Sequence, residues 1–162
     1  MKTNILLTKP LTKMPKELIY KNVDSNVYRL IKLKAPAKQV GYMAVNKHLN
    51  KREKLLEIDF ICTIPQSKGY GDKLIKFAKN LCIKEYDGII LQADRTIYNK
   101  KKAAHTFYRK NGFYSLNPFL NIILDLFLKT KGYLPCSISK PTIMYYKPDE
   151  KKSFFEKIIS KI

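Results

Sequence analysis

The sequence predicts an α/β (α+β) domain: a mixed, mostly antiparallel sheet with one parallel βαβ unit at its centre. Three observations carry this reading. Residues 26–46 alternate between apolar and polar side chains and break at Ala35-Pro36-Ala37-Lys38, the pattern of an antiparallel hairpin. Residues 55–93 run as an alternating stretch, a stretch of helical period and a short continuous apolar run, the pattern of strand, crossover helix and buried parallel strand. A final alternating run, Thr142-Ile143-Met144-Tyr145-Tyr146, stops ahead of Pro148. At 162 residues, with no repeat and no low-complexity linker, the chain reads as a single domain over 1–162.

The elements follow in order. Pro10 and Pro15 leave room for little or no helix in residues 1–22. Asn26 to Lys34 and Gln39 to Asn46 are the hairpin strands, and Asn50 to Glu53 is a polar turn. In the strand from Leu55 to Thr63, Leu56, Ile58 and Phe60 share one face, and Glu57, Asp59 and Ile61 share the other, because side chains alternate with period two. Asp72 to Lys84 is a helix whose apolar face is Leu74, Ile75, Ala78, Leu81 and Cys82. Gly88 breaks the chain ahead of the Ile89–Ala93 strand. A second helix, Lys101 to Asn111, buries Ala103, Ala104, Phe107 and Tyr108 and ends at Gly112. A strand is expected from Phe113, then the apolar segment 119–128, then a break at Lys129-Thr130-Lys131-Gly132. Residues 149–162 form an amphipathic helix, with Phe154, Phe155, Ile158, Ile159 and Ile162 opposite its lysines.

Composition narrows the setting. The formal charge is +19, from 32 basic and 13 acidic residues. Four of the basic residues are arginines (Arg29, Arg52, Arg95, Arg109), which leaves 28 lysines. Nucleic-acid readers favour the planar fork of arginine, and these lysines are spread along the chain, so a solvated basic surface is preferred over a nucleic-acid interface. Three cysteines, an odd number without a CxxC pair or a Cys/His cluster, suggest neither a disulfide framework nor a metal site, and fit a reducing, cytoplasmic compartment. Residues 119–128 are too few to span a bilayer and include Asp125, so no membrane span is expected.

Chemistry concentrates at Gln66-Ser67-Lys68-Gly69-Tyr70-Gly71-Asp72, where a strand gives way to a helix. The first N–H groups of a helix lack internal partners, and its dipole adds partial positive charge, so an anion is favoured there. Gly69 and Gly71 lack Cβ and let an anion approach the backbone, while Gln66, Ser67 and Lys68 add side-chain donors.

The stretch Ile61-Cys62-Thr63-Ile64-Pro65-Gln66-Ser67-Lys68-Gly69-Tyr70-Gly71 resembles the cofactor motif of the GNAT acetyltransferases, a strand followed by [R/Q]-x-x-G-x-[G/A]. Further on, Ala104-His105-Thr106-Phe107-Tyr108-Arg109-Lys110-Asn111-Gly112-Phe113 resembles the second signature of that family, A-x-x-x-Y-x-x-x-G-F. The resemblance spans residues 54–114. It implies a GNAT-like sheet whose two central strands splay, with helices on both faces. It implies acetyl-CoA as co-substrate, its pantetheine pairing with Ile61, Cys62 and Thr63 like an added strand and its pyrophosphate on the Gln66–Asp72 turn. It implies that Tyr108 stands near the sulfur and protonates the leaving thiolate. A primary amine attacks the thioester directly, an N–H near Ile61 steadies the oxyanion, and a carboxylate, Glu57 or Asp59, removes the proton through water. Asp59 is preferred, being nearer the splay point. His105 reads as a surface residue, and Lys100, Lys101 and Lys102 as either a contact for the 3′-phosphate or a solvated helix start.

The chain also departs from the family pattern. Where the family carries an asparagine seven residues before the tyrosine, this sequence has Lys101, and its nearest asparagine is Asn99. The two early helices of the family have no counterpart in residues 1–26. Segment 119–135 is longer than the usual link and either replaces the acceptor wall those helices form or makes a dimer contact. Two further readings compete with the enzyme. One is a basic nucleic-acid or ribosome-associated module on the same scaffold. The other is a membrane-surface protein using the helix at 149–162, although such a helix more often packs on its own sheet. The acceptor is an amine on a small molecule, a peptide or an aminoacyl group. Polyamines are disfavoured, since the +19 charge repels them.

Overall fold

A computed structural model describes residues 17–21, 26–33, 36–49, 53–65, 68–94, 104–130, 141–149, 152 and 154–161. The elements are β1 (Glu17–Lys21), β2 (Val27–Lys32), β3 (Lys38–Leu49), β4 (Lys54–Thr63), α1 (Tyr70–Glu85), β5 (Gly88–Ala93), α2 (His105–Lys110), α3 (Pro118–Lys129), β6 (Thr142–Tyr146) and α4 (Phe154–Lys161). The strands form one open, mixed sheet in the order β1-β2-β3-β4-β5-β6. The chain forms two compact units, Met1–Asn46 with Asp59–Phe77, and Lys47–Ile58 with Ala78–Ile162.

In the first unit, β1, β2 and β3 make an antiparallel meander in which Leu18 faces Ile31 and Leu30 faces Gly41. The register shifts between Leu30 and Ile31, a bulge that adds local twist. Leu30, Val40, Met43, Val45, Cys62, Leu74 and Ile75 are buried. Gly41 sits where a side chain would be crowded. A Cβ there would stand 3.0 Å from Thr63 Cγ2 and 3.1 Å from the Cys62 carbonyl oxygen, and a backbone atom has little freedom to retreat.

In the second unit, β4 pairs in parallel with β5, Leu55 to Ile58 against Gly88 to Leu91, and β5 pairs antiparallel with β6. One face of β5 is fully buried, with Ile89, Leu91 and Ala93 at most 2% exposed, whereas on the other Ile90 is half-buried and Gln92 exposed, so the apolar run is not covered on both sides. Ala78, Cys82, Phe113, Tyr114, Leu124 and Met144 complete that core.

Several expectations change. Residues 17–21 form a strand, whose two-residue apolar core Leu18-Ile19 is too short to register as one without its neighbour β2. The strand expected from Phe113 reduces to a single antiparallel bridge, Tyr114 with Tyr145. Segment 119–128 is a helix. The Asn117 side chain caps it by accepting from the N–H groups of Phe119 (3.0 Å) and Leu120 (3.4 Å), and Pro118 occupies the first turn, where no N–H is needed. The described part of the second helix starts at His105, with Lys101 to Ala103 lying outside the described residues. α4 begins at Phe154 rather than 149, and the Asn121 side chain of α3 donates to its Ile159 carbonyl at 3.3 Å. The expected turn at Asn50–Arg52 lies outside the described residues.

Candidate functional site

In the first unit, β4 leads into the glycine turn and α1. The register of β4 with β5 ends at Ile58 and Leu91, although β4 itself continues through Asp59, Phe60, Ile61, Cys62 and Thr63. On its other side the strand stays tied to β3, with the Ile64 N–H donating to the Val40 carbonyl at 2.9 Å. Cys62 is buried, and Ile61 and Thr63 are half-buried. After the cis Ile64–Pro65 bond the chain reaches Lys68, Gly69, Tyr70, Gly71 and Asp72; Gln66 and Ser67 lie outside the described residues.

Gly69 adopts φ +75°, a left-handed conformation that costs an L side chain roughly 1–2 kcal/mol, and nothing lies within 4 Å of where its Cβ would be. Its carbonyl accepts from the Lys73 N–H at 3.2 Å, so the N–H groups of Tyr70, Gly71 and Asp72 belong to the first turn of α1. Donors of that turn point out of the helix end, and sixteen residues of aligned peptide dipoles stand behind them. Asp72 complements the same dipole. This end of the helix suits a phosphate.

The two candidate carboxylates each meet a β3 side chain. Asp59 is exposed and accepts from Asn46 Nδ2 at 2.8 Å. Glu57 is half-buried and lies 2.5 Å from His48 Nε2. These pairs link residues two apart on each strand, as antiparallel pairing requires. Neither partner stood out in the sequence, because the register that brings them together is not a local property.

In the second unit, Tyr108 sits on α2. Its ring is held edge-on between Phe107 (5.2 Å) and Phe113 (5.8 Å). Burial pushes its phenol up to about 12, so the hydroxyl remains a proton donor throughout the neutral range. A difference titration of tyrosinate absorbance should show this directly. The wild type minus Tyr108→Phe should lose one tyrosine ionising near pH 12; a lost transition at the ordinary value near 10 would remove Tyr108 from a buried setting.

α2 closes at Gly112, whose φ of +75° lets its N–H reach the Arg109 carbonyl (2.8 Å) and the Phe113 N–H reach that of Tyr108 (3.0 Å). Lys79 of α1 also donates to the Asn111 carbonyl and lies 4.2 Å from the Tyr146 ring centroid. Burial, and then the charge of Lys152, lower its pKa.

One expectation is overturned here. His105 is 1% exposed, not a surface residue. The inward stripe of α2 is polar: His105, Thr106 and Arg109 are buried, whereas Phe107 and Tyr108, expected to be the buried side, are only half-buried. Arg109 is satisfied in its buried position by donating from Nε to Asp125 Oδ1 (2.8 Å) and from Nη2 to Oδ2 (2.7 Å), a bidentate pair between α2 and α3. Asn99 and Lys100 to Lys102 lie outside the described residues. Among the described residues no three His, Cys, Asp or Glu side chains gather as a metal site, and no helix is long and apolar enough to cross a membrane.

Comparison with known proteins adds family evidence. A family model described as acetyltransferase (GNAT) domain matches residues 27–115. Among solved structures, the chain is similar to the NatC complex bound to Gag peptide and CoA, at 14% identity over 75% of this chain and 70% of that one, with a TM-score of 0.51. It is also similar to the Bacillus subtilis N-acetyltransferase YlbP in complex with coenzyme A, at 18% identity over 77% and 69%, with a TM-score of 0.46. A third is AtaTR bound with acetyl-CoA, at 17% identity over 77% and 68%, with a TM-score of 0.48. At 14% identity the likeness to the NatC complex is one of fold. No protein of curated function matches the sequence.

Proposed function

This chain belongs to the acetyltransferase (GNAT) domain family, and from that premise we propose that it transfers the acetyl group of acetyl-CoA to a primary amine. The observation that carries this reading is the left-handed Gly69 at the mouth of α1, in the turn after a strand whose pairing with β5 stops at Ile58. The N–H groups of Tyr70, Gly71 and Asp72 would bind the pyrophosphate, with Lys68, Gln66 and Ser67 as flanking donors. The backbone of Ile61, Cys62 and Thr63 would take an extended pantetheine as an added strand, main chain to main chain.

The chemistry then needs three groups. The amine must lose a proton before it attacks, and Asp59 or Glu57 would accept it through water. The nitrogen attacks the thioester carbonyl, an N–H near Ile61 steadies the oxyanion, and the C–S bond breaks. Tyr108 would deliver its phenolic proton to the departing thiolate. Asn99 and Lys101 remain candidate contacts to the co-substrate by resemblance alone. Cys62 and Cys82 are buried thiols outside any disulfide, which suits a reducing, cytoplasmic setting.

Isothermal titration with acetyl-CoA tests the cofactor half of this reading. Saturable micromolar binding is expected, and Gly69→Val should weaken it about tenfold or more, because a β-branched residue resists the left-handed conformation that opens the turn. The alternative, a basic nucleic-acid or ribosome-associated module, would instead bind RNA or DNA with a steep salt dependence and ignore acetyl-CoA. Absence of acetyl-CoA binding together with salt-sensitive nucleic-acid binding would replace the enzyme reading with that one.

A further inference from the structure

α3 has its apolar side outward. Toward the protein it presents Asn121 and Leu124, both fully buried, and Asp125, which pairs with Arg109. The Asn121 carboxamide accepts from the Ser115 N–H (2.8 Å) and donates to the carbonyls of Ser115 (2.8 Å) and Ile159 (3.3 Å). The inward face is therefore held in large part by directional polar contacts. Outward stand Phe119, Ile122, Ile123 and Leu126, 74%, 43%, 42% and 56% exposed. Their spacing of three, four and seven residues puts them on one stripe. A groove of about 450 Å³ runs along this side, lined by Ile122, Asp125, Leu126, Leu128, Lys129 and Lys161.

We propose that this stripe is the interface of a homodimer, two copies of α3 packing antiparallel about a two-fold axis. The four exposures leave roughly 400 Å² of apolar surface open, within the range of the largest patch on a monomer. That is about half of the roughly 800 Å² per partner in a standard interface. A two-fold axis makes the stripe self-complementary, Phe119 meeting the partner's Leu126 and Ile122 meeting the partner's Ile123.

Charge selects this occupant over others. The chain carries +19. Among the described helices only α3 has no net formal charge, with Asp125 against Lys129, whereas α1, α2 and α4 are each net basic. An acidic peptide or an anionic bilayer is drawn to faces that carry lysine. A second copy of a strongly basic chain needs the opposite, a mostly apolar stripe, and the charges along its groove, Asp125, Lys129 and Lys161, sum to only +1. Its association should also strengthen as salt screens the remaining repulsion, the Debye length falling from about 10 Å at 0.1 M to about 3 Å at 1 M.

Sedimentation velocity of the full chain, from micromolar to hundred-micromolar concentration at low and high salt, decides the matter. A dimer is expected whose population rises with salt. Phe119→Lys and Leu126→Lys should each weaken association by about a hundredfold, since each change enters a two-fold interface twice. Ile143→Lys, at an exposed position of β6, should leave the dimer intact, and far-UV circular dichroism should be unchanged in all three variants. A monomer under every condition overturns the proposal. So does a dimer that weakens with salt or ignores both α3 substitutions, and so does a monomer captured by anionic vesicles or by an acidic peptide through this face. Should the variants misfold, the salt series on the wild type still decides.

Discussion

Replacing Tyr108 by phenylalanine is expected to lower kcat by about a hundredfold or more, the scale of general acid catalysis, while KM for acetyl-CoA changes little. The phenyl ring keeps the edge-on contacts with Phe107 and Phe113, so the fold should survive the change. Only the proton donor is removed. The measurement is thiol release from acetyl-CoA with an amine acceptor found by screening, alongside thermal unfolding to show that the variant is folded. The pH profile supplies an independent check. A general acid must be protonated, and burial keeps this phenol protonated until about pH 12. The wild-type rate should therefore show no alkaline fall attributable to Tyr108 in the ordinary assay range. A variant retaining most of its kcat would assign thiolate protonation to solvent and leave Tyr108 a packing residue.

Asp125→Ala should lower stability by about 3 kcal/mol, the lower end of the cost of breaking a buried ion pair, because Asp125 itself is partly solvated. The loss falls on Arg109, whose side chain is 7% exposed and would give up two charge-assisted hydrogen bonds. Arg109→Met should cost less. It removes the buried cation and keeps an apolar stem, leaving a carboxylate that water can reach. For a chain of this size the aspartate change corresponds to a fall of roughly 6–12 °C in Tm. Urea unfolding of both variants measures the asymmetry. Equal losses would mean that the pair is hydrated in solution and contributes as a surface bridge does.

The geometry around the candidate site was partly legible. The turn at Gly69, the helix behind it and the helix end at Gly112 follow from glycine, capping and periodicity, all local properties. Alternation along β4 put Glu57 and Asp59 on one face, but it did not reveal their partners His48 and Asn46, because pairing depends on a strand register that alternation does not set.

By itself the sequence determined the hairpin, the βαβ unit and the last strand, together with the order of the two motifs that mark the family. Each is written in patterns within one or two elements, where backbone geometry dictates which positions share a face. Only the tertiary structure decided which face turns inward. In α2 hydropathy favours burying Phe107 and Tyr108, yet His105, Thr106 and Arg109 face in, and for Arg109 the reason is Asp125 on α3, which meets the guanidinium. In α3 hydropathy favours burying Phe119, Ile122, Ile123 and Leu126, yet Asn121 faces in, held by Ser115 and Ile159. The physical reason is the same in both helices. A buried polar group is favourable only when a specific partner satisfies it, and these partners are six to thirty-eight residues distant in sequence.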